Sequence, residues 1–129
     1  MRLLQTMANP SKDKGTRAES KVVSYFKEAG LDAVRKALTG SADKGDIQLD
    51  GYSLEVKTGK QTANPSRSQL EEWLRQSEVE SANANEPCYL VVVRYRRSIK
   101  DAEVWHRDSG NVLHMQYLDD FVQSRKEEQ

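Results

Sequence analysis

The sequence predicts a single α/β domain in which a mixed central β-sheet is flanked by helices. Stretches with helical periodicity alternate with short β-branched runs, and an Asp50-Gly51 pair separates two strand-like segments. The length of 129 residues is typical of one domain, and folding at this size buries roughly two-thirds of the unfolded chain's surface. The single cysteine, Cys88, excludes an intrachain disulfide framework and a Cys-rich zinc site. We therefore expect a core that needs no covalent or metal staple.

The elements are predicted in the order α-β-β-β-α-β-β. The first helix begins at Thr16, because Val22, Val23 and Phe26 recur at helical spacing and Gly30 follows as a stop. The predicted strands cover 32–38, 46–49, 52–57, 88–95 and 102–106, the second helix runs from 65–66 to about 83–85, and a short final helix covers 118–122. This divides the chain into a flexible arm over residues 1–15, a single domain over 16–123 and a frayed tail over 124–129.

The composition excludes a protein that spans a membrane. Charged residues make up 31% of the chain and the mean hydropathy is −0.82. The longest apolar run, residues 89–93, is far shorter than the roughly 20 residues that a spanning helix needs. The first four residues are too few for a signal peptide, so we expect a cytoplasmic protein with no membrane partner.

The net charge of zero argues against a nucleic-acid-binding protein, but the charges are unevenly distributed. Residues 1–67 hold 12 Lys and Arg against 8 Asp and Glu, whereas residues 68–129 hold 8 against 12. If some acids of the first half are metal ligands, the surface around them is more basic than the total indicates.

The Asp50-Gly51 pair predicts a tight β-hairpin. With these as the two central residues of the turn, antiparallel pairing places Asp46 opposite Glu55, and alternation puts Lys57 on the same face. Two directly opposed carboxylates repel each other unless a cation lies between them. Mg²⁺ prefers oxygen ligands and typically takes one or two protein carboxylates plus substrate phosphates, so this pair matches its needs. The ammonium of Lys57 would then hold a water or stabilise charge on a phosphate.

An ordinary explanation exists for each of these acids. Asp46 and Glu55 would also suit the solvent-facing side of a hairpin, with Lys57 as a local counter-charge. Thr16 and Glu19 match a capping box, in which the Glu side chain returns to the backbone of the helix start. Glu19 nevertheless shares the helical stripe of the core residues, and a carboxylate near a buried stripe needs a partner such as a metal.

The stretch from residue 14 to residue 60 resembles the PD-(D/E)XK nuclease superfamily, specifically its Holliday junction resolvase-like members from archaea and phages. The matching segments are Lys14-Gly15-Thr16-Arg17-Ala18-Glu19, Arg35-Lys36-Ala37-Leu38-Thr39-Gly40-Ser41, Gly45-Asp46-Ile47 and Glu55-Val56-Lys57. A Glu-x-Lys tripeptide alone is common, whereas four segments in this order and spacing are much more specific. Gly45 stands where the superfamily name expects proline.

The resemblance implies a restriction-endonuclease-like fold and a set of roles for these residues. Asp46 and Glu55 would bind Mg²⁺, for which Mn²⁺ would substitute, with no organic cofactor. Lys57 would assist the water nucleophile, and Glu19 would complete the acidic cluster as a further catalytic and metal-binding residue. In the loop that follows the basic segment, either Thr39 or Ser41 would contact DNA.

The residues expected to bind DNA surround the acidic pair in the sequence. They are Arg35, Lys36, Thr39, Ser41, Lys44, Lys60, Arg67 and Gln69. Three arginines between residues 94 and 97 form a second basic cluster that suits either another DNA arm or a solvated strand end. His106 and His114 are better read as strand-end histidines than as metal ligands, and Trp73 as a core or dimer-interface residue.

These observations favour a metal-dependent, structure-selective DNA endonuclease, with a Holliday junction resolvase as the resemblance implies. A four-way junction has two-fold symmetry, so a resolvase is expected to act as a homodimer. A nuclease of the same fold that cuts other branched, single-stranded or general DNA is the alternative within enzymes. A catalytically silent DNA-binding module is the alternative outside them.

Overall fold

The computed structural model describes residues 10–35, 46–49, 51–84 and 87–127. Within these ranges the side chains of residues 10–16, 35, 46 and 80–84 are left out of the description. No helix in the described ranges is long and apolar enough to cross a membrane.

The first helix, α1, extends further towards the N-terminus than predicted. It spans Pro10–Glu28, so six residues of the expected arm are helical, and residues 1–9 lie outside the described residues. Proline suits the first helical position because it has no backbone N–H, and an N–H there would have no acceptor within the helix. Thr16 therefore lies inside α1, and a capping box at the helix start does not explain Glu19. Gly30, with φ of 89°, follows the helix in the left-handed conformation that glycine favours.

A six-stranded mixed sheet forms the centre of the domain, which confirms the predicted fold class. Its strands are β1 (Val34–Arg35), β2 (Asp46–Leu49), β3 (Tyr52–Lys57), β4 (Cys88–Val92), β5 (Glu103–Arg107) and β6 (Leu113–Tyr117). They lie in chain order, and every neighbouring pair is antiparallel except β3 and β4, which are parallel. Helix α2 (Arg67–Ala84) makes the connection that parallel strands require.

The sequence did not predict strand β6. Leu113, Met115 and Tyr117 alternate with polar residues in the period-two pattern of a strand, so the segment carried a strand signal that was overlooked. Met115 and Tyr117 remain exposed. β6 pairs with β5 through a turn in which Asn111 has φ of 66°, a conformation that asparagine tolerates. The last helix, α3 (Leu118–Glu127), continues five residues beyond its predicted end and includes much of the expected frayed tail.

Two apolar clusters pack against opposite faces of the sheet. The first joins α1 and α3 to one face and consists of Ala18, Val22, Val23, Phe26, Leu31, Ala33, Ile47, Leu49, Leu54, Val56, Val91, Val93, Ala102, Val104, Leu118, Phe121 and Val122. The second joins α2 to the other face and consists of Leu70, Trp73, Leu74, Leu90 and Val92, with Trp105 and Leu113 at its margin. β4 is buried on both faces, as its continuous apolar run predicts.

Candidate active site

The predicted hairpin register is present between β2 and β3. Asp46 pairs with Glu55 and Leu49 pairs with Tyr52, so two residues connect the strands. Gly51 in the turn has φ of 80°, which glycine adopts without the strain that a Cβ brings. Asp50 and the side chain of Asp46 lie outside the described residues. The backbone nevertheless places Asp46 and Glu55 opposite each other, at the end of the strands where β2 begins and β3 ends.

Glu55 and Lys57 lie on the face of the sheet that α2 covers. Leu54 and Val56 belong to the cluster under α1, so alternation places their neighbours on the opposite face. Glu55 is only 8% exposed, which does not fit a solvated hairpin face. The Nζ atom of Lys57 lies 3.9 Å from Oε1 of Glu55, so an ammonium accompanies the buried carboxylate. Burial of a carboxylate without a partner is costly, and the Lys57 ammonium offsets part of that cost.

Trp73 of α2 forms the wall beside the lysine. It is 6% exposed and packs in the second apolar cluster, which agrees with the prediction of a core residue. The Lys57 ammonium lies 6.0 Å from the centroid of the Trp73 ring, at the outer limit of a cation–π contact. Its side chain keeps 25% of its surface exposed, so the ammonium can meet a ligand that arrives from solvent.

Glu19 is buried on α1, with 7% of its surface exposed. The helix packs on the sheet face opposite to Glu55 and Lys57, and neighbours of Glu19 such as Val22 and Val23 are in the first apolar cluster. A buried carboxylate in this position is not accounted for by capping, because α1 begins nine residues earlier. Its predicted part in the acidic cluster stays a prediction.

The connection between β3 and α2 carries the described members of the predicted DNA-binding set. Lys60 is exposed in a 3₁₀ turn over Lys60–Thr62, and Arg67 and Gln69 are exposed in the first turn of α2. Nε of Arg67 lies 3.8 Å from Oε1 of Glu71. The backbone N–H of Gln69 donates to the Ser66 hydroxyl, which caps the helix. Lys60, Arg67 and Gln69 follow β3 in the chain, and their DNA-binding roles stay predictions.

The remaining members of that set are not placed by the structure. Arg35 ends β1, which pairs with β2, but its side chain is not described. Lys36, Thr39, Ser41 and Lys44 lie outside the described residues. Their DNA-binding roles stay predictions.

Thr62 fixes this connection to the sheet. It is fully buried, and its hydroxyl Oγ1 lies 2.7 Å from the Gly59 carbonyl oxygen and 2.8 Å from that of Val93. The Val93 amide in turn donates to the Lys57 carbonyl oxygen at 2.9 Å. The 3₁₀ turn, the end of β4 and the backbone of the candidate lysine are thus joined.

The chemistry of the donor set suits a divalent cation with oxygen ligands. Among the described side chains, no three His, Cys, Asp or Glu residues form a group that could hold a metal ion. The Asp46 carboxylate, which the register opposes to Glu55, is not among those side chains. Asp46 and Glu55 are the residues that would hold Mg²⁺ or Mn²⁺, with Glu19 as the predicted third acid.

An ion pair that the sequence analysis did not identify lies on the same face of the sheet as Lys57, with Glu103 two strands away from Lys57. Arg94 donates from Nε and Nη2 to the two carboxylate oxygens of Glu103, at 2.8 and 3.0 Å, and the Trp105 indole donates to the same carboxylate at 3.1 Å. The sequence left Arg94 either as a DNA contact or as a solvated strand end. Its spacing from Val92, two residues earlier on the α2 face, would have indicated the side of the sheet on which it lies.

The two histidines form a separate group on β5 and β6. Their rings stack at 5.3 Å, and Nε2 of His114 lies 2.7 Å from Oδ2 of Asp108. Burial, His114 and Arg125 lower the pKa of His106, while Asp108 acts in the opposite direction. This group is on the face of the sheet that α3 covers, opposite to Glu55, and it takes no part in the candidate site.

Comparisons with known proteins bear on the fold alone. No family model matches the sequence, and no curated protein matches it. The fold is similar to the solved structure of Archaeoglobus fulgidus Hjc, a Holliday junction resolvase from an archaeal hyperthermophile, with a TM-score of 0.48 and 13% identity. The match covers 83% of this chain and 98% of that chain. A likeness of this degree leaves the function to be argued from the residues themselves.

Proposed function

We propose that this protein is a metal-dependent, structure-selective DNA endonuclease, and specifically a Holliday junction resolvase. The observation that carries the proposal is the arrangement at the end of β3. There the register opposes Asp46 to Glu55, and Lys57 lies 3.9 Å from the buried Glu55 carboxylate. The resemblance of residues 14–60 to resolvase-like nucleases selects the same three residues from the sequence.

Each residue has a distinct part in the proposed hydrolysis. A divalent cation, when bound, would polarise the scissile phosphate and acidify a water. The Asp46 and Glu55 carboxylates would hold that cation. The resemblance also assigns Glu19 to its hydration, although α1 carries Glu19 on the face of the sheet opposite to Glu55. Lys57, partly exposed and held between Glu55 and Trp73, would orient the attacking water or stabilise the extra negative charge on the phosphate. Cleavage in this family would leave 5′-phosphate ends.

The charges around the strand ends support DNA as the substrate. Lys60 and Arg67 are exposed in the connection that follows Lys57 and would bind backbone phosphates, together with Gln69. Arg35, Lys36 and Lys44 would extend this contact, along with Thr39 or Ser41. Contacts of this kind position the substrate without reading its sequence.

The symmetry of the substrate supports a homodimer, which we expect to act in the cytoplasm. A four-way junction has two equivalent strands to cut, so two matched active sites related by a two-fold axis resolve it symmetrically. Cleavage of other branched or single-stranded DNA by the same site, or DNA binding without cleavage, are the competing functions.

The test is cleavage of a labelled synthetic four-way junction beside a linear duplex of the same sequence, in Mg²⁺, in Mn²⁺ and in EDTA. We expect paired symmetric nicks in the junction in either metal, and no product in EDTA or from the duplex. Equal cleavage of both substrates would replace the resolvase by a general nuclease. Binding of the junction without cleavage in any metal would leave a DNA-binding module.

A further inference from the structure

A fixed arginine lies beside the candidate lysine on the same face of the sheet. Lys57 of β3 pairs with Val92 of β4, and Val92 pairs with Glu103 of β5, so these three positions form one row across the sheet. Arg94 lies two residues beyond Val92, and its hydrogen bonds to Glu103 keep it on this face. With neighbouring strands about 4.8 Å apart, Arg94 stands one strand away from Lys57 at the same end of the sheet.

Glu103 orders the guanidinium of Arg94 but does not accept from all of its N–H groups. A guanidinium has five N–H groups, and Glu103 accepts from two of them. The Glu103 side chain is 12% exposed, whereas the Arg94 side chain keeps 26% of its surface exposed. The carboxylate therefore lies in the interior and the arginine reaches solvent. Binding a phosphate through the remaining N–H groups would cost little side-chain entropy, because the arginine is already ordered.

The surroundings of Arg94 carry an excess of positive charge. Lys60 and Arg67 are exposed at the neighbouring connection, and Arg96 and Arg97 are exposed in the turn that follows Arg94. Arg96 occupies the left-handed region with φ of 61°, a conformation that is costly for a residue with a Cβ. Conformations of this kind are concentrated at functional sites. The turn therefore adds two exposed arginines at the end of the sheet where β3 and β4 end.

We infer that Arg94, positioned by Glu103, binds a backbone phosphate of the DNA next to the phosphate at which Glu55 and Lys57 act. This inference rests on the proposed nuclease function, because it assigns a contact of the same substrate. It makes Glu103 a positioning residue and gives the ion pair a role beyond stability.

A charge-conserving double variant tests the inference. Arg94→Gln/Glu103→Gln removes one positive and one negative charge, so the net charge of the protein is unchanged. The matched control is Arg107→Gln/Glu78→Gln. In that pair, Nε of Arg107 lies 3.4 Å from the Glu78 carboxylate on the same face of the sheet. Arg107 stands four residues beyond Glu103 along β5, which separates the two positions by about 13 Å.

The measurement is fluorescence anisotropy of a labelled four-way junction in EDTA, as a function of salt between 50 and 200 mM. For the Arg94 pair we expect about tenfold weaker binding and a slope of log K against log salt that is smaller by about one, which corresponds to one lost phosphate contact. The control pair is expected to bind as the wild type. A further variant, Arg94→Lys, keeps the charge but loses the fork, so it should keep the slope and lose part of the affinity.

The outcomes separate this inference from the proposed function. If the wild type binds and cuts the junction while the Arg94 pair matches it in affinity and slope, the arginine is a structural ion pair only and the inference is wrong. Equal losses in both pairs would also overturn it, since the effect would then not depend on position. A wild type that neither binds nor cuts junctions would refute the proposed function and the inference together.

Discussion

Thr62 offers the clearest structural prediction, because its one hydroxyl joins the 3₁₀ turn to the end of β4. Thr62→Val keeps the shape of the side chain and removes the hydroxyl, which lies within 2.8 Å of the carbonyl oxygens of Gly59 and Val93. A hydroxyl donates one proton, so one net hydrogen bond of about 1 kcal/mol is lost. The Gly59 carbonyl oxygen keeps the backbone amide of Thr62 as a donor at 3.0 Å, so the carbonyl left without this donor is that of Val93, at a cost of about 1 kcal/mol more. We expect the free energy of unfolding to fall by about 2 kcal/mol.

Urea unfolding followed by tryptophan fluorescence measures this loss, because Trp73 and Trp105 both pack in or beside the second apolar cluster. The control is Thr62→Ser, which keeps the hydroxyl and loses one methyl group, at a cost of about 0.8 kcal/mol. The valine variant should therefore be less stable than the serine variant by about 1 kcal/mol. A valine variant as stable as the wild type, or more stable than the serine variant, would refute the reasoning that the hydroxyl fixes this connection.

Two further predictions concern the turn at Arg96 and the histidine pair. Arg96→Gly should be more stable than Arg96→Ala by about 1 kcal/mol in the same unfolding assay, reversing the usual order, because φ of 61° strains any residue with a Cβ; a more stable alanine variant would contradict this. The lowered pKa of His106, caused first by burial and then by His114 and Arg125, means that the unfolded chain takes up the proton more readily than the folded protein. This contribution to stability is complete above the ordinary histidine value of about 6.5 and is lost as the pH falls towards the folded pKa. Thermal unfolding at pH 7.5 and 5.5 should show a smaller loss for His106→Phe than for the wild type, and equal losses would show that His106 is not responsible.

The sequence predicts the centre of the fold well because its signals there are local. The Asp50-Gly51 pair sets the turn, and the turn sets a register that opposes Asp46 to Glu55. The apolar run of β4 indicates a strand buried on both faces, and the structure agrees. In these segments the backbone conformation and the pattern of burial favour the same structure.

Three features were not predicted, each for its own reason. The pairing of Arg94 with Glu103 joins the residues after β4 to β5, and no spacing within either segment reveals it. β6 is a half-exposed edge strand paired with β5, and the alternation of Leu113, Met115 and Tyr117 with polar residues is a local strand signal that was overlooked. The start of α1 at Pro10 was not predicted because the residues before Thr16 carry no apolar stripe and include Ser11, Asp13 and Gly15, whose helix propensity is low.

The single-turnover rate of junction cleavage tests the central claim most directly, because it measures the chemistry assigned to the end of β3. The variant is Glu55→Gln, which keeps the shape of the side chain and removes its charge. The control is Glu72→Gln, an acid of α2 that pairs with Arg75 on the surface. We predict a wild-type rate for the control in Mg²⁺ and a loss of more than about a hundredfold for Glu55→Gln, since even residues that only support a metal ligand are worth 10–100-fold. A Glu55→Gln variant that cuts the junction as fast as the control would contradict the account.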